Sequence, residues 1–131
     1  MVIADTTLWI DYLRNQRSAY GDEMLRLIDD GRVALIGVVL TELLRGLRTH
    51  EERQRLEWQL RGATFLEMTK AAWRRAGVLS SDLDARGQPI PMTDVFIAAL
   101  ALEDDHELFT RDKHFERIPG LRLYKPEGEI V

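Results

Sequence analysis

A parallel α/β fold, with helices on both faces of a central and mainly parallel sheet of about four or five strands, is what this 131-residue sequence predicts. Three observations carry that prediction. The apolar runs VIA (2–4), VALIG (33–37) and ELFT (107–110) are short and continuous rather than alternating, as expected of strands covered on both faces. Between them lie longer stretches with apolar residues at helical spacing. Strands alternating with helices in this way make parallel pairing through helical crossovers the natural topology.

The elements follow in order. Residues 2–4 read as a buried strand, and TTLWIDYLR places Leu8, Trp9, Tyr12 and Leu13 on one stripe, so a helix should run to about Arg14. NQRSAYG (15–21) reads as a polar connection closed by Gly21. DEMLRLIDD is then a helix with Met24, Leu25, Leu27 and Ile28 inward and Gly31 at its C-terminal cap. After the 33–37 strand, residues 38–62 give two helices with a break near Thr49–His50. TFLEM (64–68) is a short strand. KAAWRRAGVLSSDLDARG is a helix with Ala71, Ala72, Ala76, Leu79 and Leu83 on one stripe, closed by Gly87. Two prolines hold the loop QPIPM. DVFIAALALEDD is apolar almost all round its first half, which marks a covered central helix. ELFT is a strand, RDKHFERIPG a turn region and LRLY a last strand.

The length suits one domain spanning 1–131. No apolar stretch is long enough to span a bilayer, and the start lacks the basic and small-residue pattern of a secretory signal. Cysteine is absent, which removes disulfides and thiolate metal sites. A cytoplasmic protein is the expectation. The formal charge of −4 gives no general attraction for nucleic acid, although the cations are lopsided, with fifteen arginines against Lys70, Lys113 and Lys125.

In a parallel sheet, ligands bind beyond the carboxyl ends of the strands, where the winding reverses. Four acids fall at such places: Asp5 after the first strand, Glu42 a helical turn past the second, Asp94 at the start of the apolar helix and Asp112 just after ELFT. Each has an ordinary structural use. Asp5 can cap its helix, Glu42 can sit on a solvated helix edge, Asp94 suits a helix N-terminus and Asp112 suits a turn. Brought to one rim, they need more. Two carboxylates about 4 Å apart repel by roughly 4 kcal/mol at an effective dielectric near 20. Such a group needs a counter-charge or must take up protons. With only oxygen ligands, and no paired histidines at zinc spacing, the fitting cation is Mg²⁺ or Mn²⁺. His50, His106 and His114 read as surface residues away from the acids.

The order of these fragments resembles the PIN-domain family, in particular the VapC-type toxin ribonucleases of toxin–antitoxin pairs. ADTT matches the Asp–Thr pair after the first strand, and TELLRG the Glu helix with its glycine. DVFIAALA matches the Asp leading an alanine-rich helix, and TRDKHF the Thr-x-Asp with a following aromatic. The resemblance covers nearly the whole chain and implies a three-layer α/β/α fold. It also implies a metal held by Asp5, Glu42, Asp94 and Asp112, with Thr6 and Thr110 as supporting hydroxyls.

The expected activity is metal-dependent endoribonuclease cleavage of RNA phosphodiester bonds, with the ion activating water and neutralising charge on the phosphate. Arg14, Arg17, Arg45, Arg48, Arg111 and Lys113 lie near the acid motifs and are candidates to grip RNA phosphates. The resemblance further implies a cognate antitoxin and a homodimer. Trp9, Tyr12, Leu13, Leu43 and Leu47 are candidates to line an apolar groove for an antitoxin helix. Two readings compete: a structure-specific DNA nuclease, and an inactive dimeric interaction module with a vestigial acid rim.

Overall fold

Asp5 is the first residue after strand β1 (Val2–Ala4), and the fold is best followed outward from that strand. The computed structural model describes residues 1–14 and 18–127. In chain order, β1 is followed by α1 (Thr6–Leu13), α2 (Ala19–Asp29), β2 (Val33–Ile36), α3 (Gly37–Arg45) and α4 (His50–Leu60). Then come β3 (Thr64–Leu66), α5 (Lys70–Ala85), α6 (Met92–Glu103), β4 (Glu107–Phe109) and a 3₁₀ turn over Lys113–Arg117.

The four strands form one parallel sheet in the order β3-β2-β1-β4. Val2 pairs with Val33 on one side and Glu107 on the other, and Ala4 pairs with Phe109. Successive strand residues point to opposite faces, yet every residue of β1 and β2 is buried. Helices therefore cover both faces, which is why these strands read as unbroken apolar runs. The winding proceeds from β1 through β2 to β3 in one direction, while β4 lies on the other side of β1. The switch point thus falls between the carboxyl ends of β1 and β4.

The covered central helix is α6, whose Val95 and Ile97–Ala101 are all buried. Gly31 and Gly87 have positive φ (67° and 68°) after α2 and α5, the left-handed caps expected of both. A capping box at Thr49 and Glu52 opens α4 and explains the break in the 38–62 stretch.

Several expectations need correction. Helix α2 begins at Ala19, with the Ser18 side chain accepting from Gly21 N–H, so Gly21 is a buried helical residue and not the end of a connection. Leu25 is exposed rather than inward, and Ala71 is exposed while Ala72, Ala76, Leu79 and Leu83 carry the α5 stripe. The 64–68 strand shortens to Thr64–Leu66. LRLY forms only an isolated bridge, Leu123 to Leu108. Its anchor is instead Tyr124, whose hydroxyl donates to buried Glu23 at 2.5 Å. Burial and that carboxylate push the Tyr124 phenol up to about 12.

Candidate active site at the switch point

The carboxyl ends of β1 and β4 are tied at the backbone, Asp5 N–H donating to Phe109 C=O at 3.1 Å. This sets Asp5 beside Thr110, the first residue after β4. Asp5 is 5% exposed. Its Oδ1 accepts from Leu8 N–H at 3.1 Å, the N-cap bond of α1, and its Oδ2 accepts from the Thr110 hydroxyl at 2.5 Å. The Thr110 hydroxyl in turn accepts from Asp112 N–H at 3.0 Å. One threonine thus fixes one acid by its side chain and another through its backbone.

Glu42 arrives from α3, and its Oε1 accepts from the Thr6 hydroxyl at 2.8 Å. Asp94 arrives from the first turn of α6. Burial raises its carboxyl above the ordinary value despite the helix N-terminus and the opposing pull of His114, and the charges of Asp112 and Glu42 push it further. Asp5 is also raised. Burial is the main cause, Thr110 and Leu8 oppose it, and the charges of Asp94 and Asp112 add to it. The charges of neighbouring acids thus act on both buried Asp5 and half-buried Asp94.

His114 is the residue that the sequence reading misplaced. It is neither distant nor on the open surface: its side chain is 18% exposed, with Nε2 2.8 Å from Asp94 Oδ2 and Nδ1 3.0 Å from Asp112 Oδ1. The cause is the 3₁₀ turn, which opens on Asp112, accepts His114 N–H at the Asp112 side chain and folds the imidazole back towards α6. The signal available was the spacing itself, a histidine two residues past an acid at a strand end.

Among the described residues, the group with ligand atoms within 4.8 Å of one another is Asp94, Asp112 and His114. Asp5 and Glu42 stand outside that triad, each bonded to its threonine. The donor set still fits a divalent cation. It is rich in carboxylate oxygen, it lacks sulfur, and buried Asp5 and half-buried Asp94 have their charge disfavoured, which a cation would relieve.

The cations divide. Arg111 and Lys113 line a cleft with Asp5, Thr7 and Asp112. Arg14 instead lines a separate groove beside Glu42, and Arg45 and Arg48 are exposed beyond both. Arg17 lies outside the described residues. The groove, about 310 Å³, includes Leu13, Leu43 and Leu47 together with Ile10 and Leu56. Trp9 and Tyr12 do not line it: Trp9 is fully buried, pointing from α1 into the core, and its ring stands edge-on to half-buried Tyr12 at 6.1 Å.

The sequence profile described as PIN domain matches residues 2–121. The chain is 31% identical to Ribonuclease VapC19 of Mycobacterium tuberculosis, covering 93% of this chain and 98% of that one. It is 26% identical to Ribonuclease VapC1 of Methanocaldococcus jannaschii, covering 94% and 86%. Among solved structures, VapBC2 from Rickettsia felis bound to a DNA fragment from its promoter superposes with a TM-score of 0.82 at 24% identity, covering 97% of this chain and 100% of the other. DNA-bound VapBC from Salmonella typhimurium gives 0.80 at 23%, with 94% and 96% covered. These last two likenesses speak to fold. Placed beside an acid rim at the β1–β4 switch point, a profile match over nearly the whole chain settles the family: the chain belongs to the PIN-domain family.

Proposed function

We propose that this chain is a metal-dependent endoribonuclease that acts as the toxin of a VapBC-type pair, working in the cytoplasm and neutralised by a cognate antitoxin. The observation that carries this reading is the meeting of acids at one strand-end rim, where Thr110 ties Asp5 to Asp112 and His114 bridges Asp112 to Asp94. The ribonuclease names of its full-length relatives supply the substrate class.

Asp5, Glu42, Asp94 and Asp112 would hold Mg²⁺ or Mn²⁺, which when bound supplies charge neutralisation at the phosphodiester and an activated water. The chain's own groups do the holding and aiming. Thr6 orients the Glu42 carboxylate, Thr110 and the Leu8 amide orient Asp5, and His114 spans Asp94 and Asp112. Lys113 and Arg111 at the cleft offer donors to RNA phosphates.

The groove between α1, α3 and α4 suits an amphipathic antitoxin helix, because Ile10, Leu13, Leu43, Leu47 and Leu56 line it together with Glu42 and charged side chains. An occupant there reaches the rim without entering the cleft itself. Dimerisation is part of the same reading.

The test is incubation of the purified chain with total cellular RNA and Mn²⁺, with and without chelator. Fragments should appear only with the ion and only for the parent, not for Asp94→Asn. Cleavage that survives chelation, or that persists in Asp94→Asn at the parent rate, would overturn the metal assignment. Leu47→Asp should keep the cleavage and lose neutralisation by the antitoxin. Equal neutralisation would move the partner elsewhere.

A further inference from the structure

Arg111 stands between two residues of the rim, Thr110 and Asp112, yet its guanidinium is not drawn onto the rim acids. Its Nη2 lies 2.6 Å from Asp11 Oδ2 on α1. The contact is an ion pair by distance but is not aligned as a hydrogen bond, so that buried oxygen has charge compensation without a directed donor. Tyr20 of α2 covers the guanidinium face, with the Arg111 carbon 4.9 Å from its ring centroid, and Tyr20 itself leans on Phe109 of β4 at 6.0 Å. Three elements therefore fix one cation. The Arg111 side chain remains 38% exposed and lines the cleft with Asp5 and Asp112.

We propose that Arg111 is the phosphate clamp of this cleft and that Asp11 is the positioning residue that aims it. The proposal rests on the nuclease reading above and selects one cation among those near the acids. Guanidinium carries five N–H donors in a rigid fork, and a phosphodiester presents two non-bridging oxygens that match such a fork. Asp11 faces one nitrogen and Tyr20 one face. No hydrogen bond from Arg111 to any other group is found among the described residues. Because Asp11 already balances the charge, Arg111 adds little long-range attraction. What it adds is donor direction at a fixed place beside Asp5.

A mere strut between α1 and the β4 end would use the same contacts, so the test must separate aim from support. Initial cleavage rates are measured against the concentration of total cellular RNA with Mn²⁺, alongside thermal midpoint and Mn²⁺ affinity by calorimetry. Arg111→Met should raise the half-saturating RNA concentration about tenfold, the loss of one charged hydrogen-bonding contact, with Mn²⁺ affinity unchanged. Arg111→Lys should recover part of it.

Asp11→Asn is the sharper arm, because it removes a negative charge near the cleft. Simple electrostatics predicts tighter RNA binding, whereas an aiming role predicts half-saturation weakened about threefold or more, and that is the expected result. Unchanged or tighter half-saturation in Asp11→Asn, or losses in both variants that merely follow a fallen thermal midpoint, would overturn the proposal. If the parent cuts no RNA, the nuclease reading fails separately. The clamp is then judged by retention of a random-sequence single-stranded RNA 12-mer. Retention by the parent and loss in Arg111→Met supports it; equal retention sinks it.

Discussion

Two helix starts in this molecule have nearly the same chemistry and opposite electrostatics. At α4, Thr49 and Glu52 close a capping box: Glu52 accepts from Thr49 N–H at 3.1 Å and from its hydroxyl at 2.9 Å. Those bonds hold the partly exposed Glu52 carboxyl below its ordinary value. At α1, Asp5 accepts from a backbone N–H and a threonine hydroxyl in much the same way, yet its carboxyl lies above the ordinary value. The local hydrogen bonds are alike. What reverses the sign is burial, helped by two neighbouring acids brought in from other parts of the chain. A cap is satisfied by its own helix; a site is left in need of something more.

The largest consequence of that contrast is on activity. Asp94→Asn, on the coupled rim, should lower cleavage at least about a hundredfold, the scale of losing one electrostatic element of a catalytic site. Thr49→Ala, at the isolated cap, should leave the rate per folded molecule unchanged in the same assay. His114→Ala comes next. With the partner of both Asp94 and Asp112 gone, Mn²⁺ affinity by calorimetry should fall about tenfold, as for other residues that hold ligands in place. An unaltered affinity would reduce His114 to a packing role.

The pH dependence in chelator should split the two starts by sign. The folded Asp5 carboxyl binds its proton more tightly than the unfolded one, so its contribution is most favourable in acid and worsens as pH rises from the ordinary carboxylate value through the raised one. Asp5→Asn should therefore gain thermal midpoint over the parent as pH climbs to neutrality. Glu52 runs the other way: its contribution is present above the ordinary value and lost as pH falls through the lowered one. Glu52→Gln should be less stable than the parent at neutral pH and equal to it in acid. Parallel curves for the two variants would show that burial does not separate these helix starts. Smallest is Thr49→Ala, which should cost about 1 kcal/mol of stability, a shift of a few degrees in thermal melting.

The same contrast explains what was legible in the sequence. The parallel sheet was readable because β1 and β2 are buried on both faces and so are apolar at every position. The four acids were readable by place, since strand ends are local features. Their convergence was expected from the parallel winding, but the strand order that delivers it, with β4 on the far side of β1, was not specified. His114 escaped because a 3₁₀ turn leaves no apolar period to follow, and Trp9 misled because a stripe of aromatics looks the same whether it faces a groove or the core. The α2 start was hidden by a glycine that packs inside a helix rather than ending one.

The pairing of β1 with β4 also sets a clock on synthesis. Asp5 leaves the ribosome together with β1, but the strand that completes its surroundings is more than a hundred positions later in the chain. At about 5–20 residues per second, that is a delay of roughly 5–20 s in which the newborn polypeptide sits amid ribosomal and messenger RNA without an assembled centre. A linear order of motifs scattered along the chain thus works as a delay, assembling the rim only after β4 has been made.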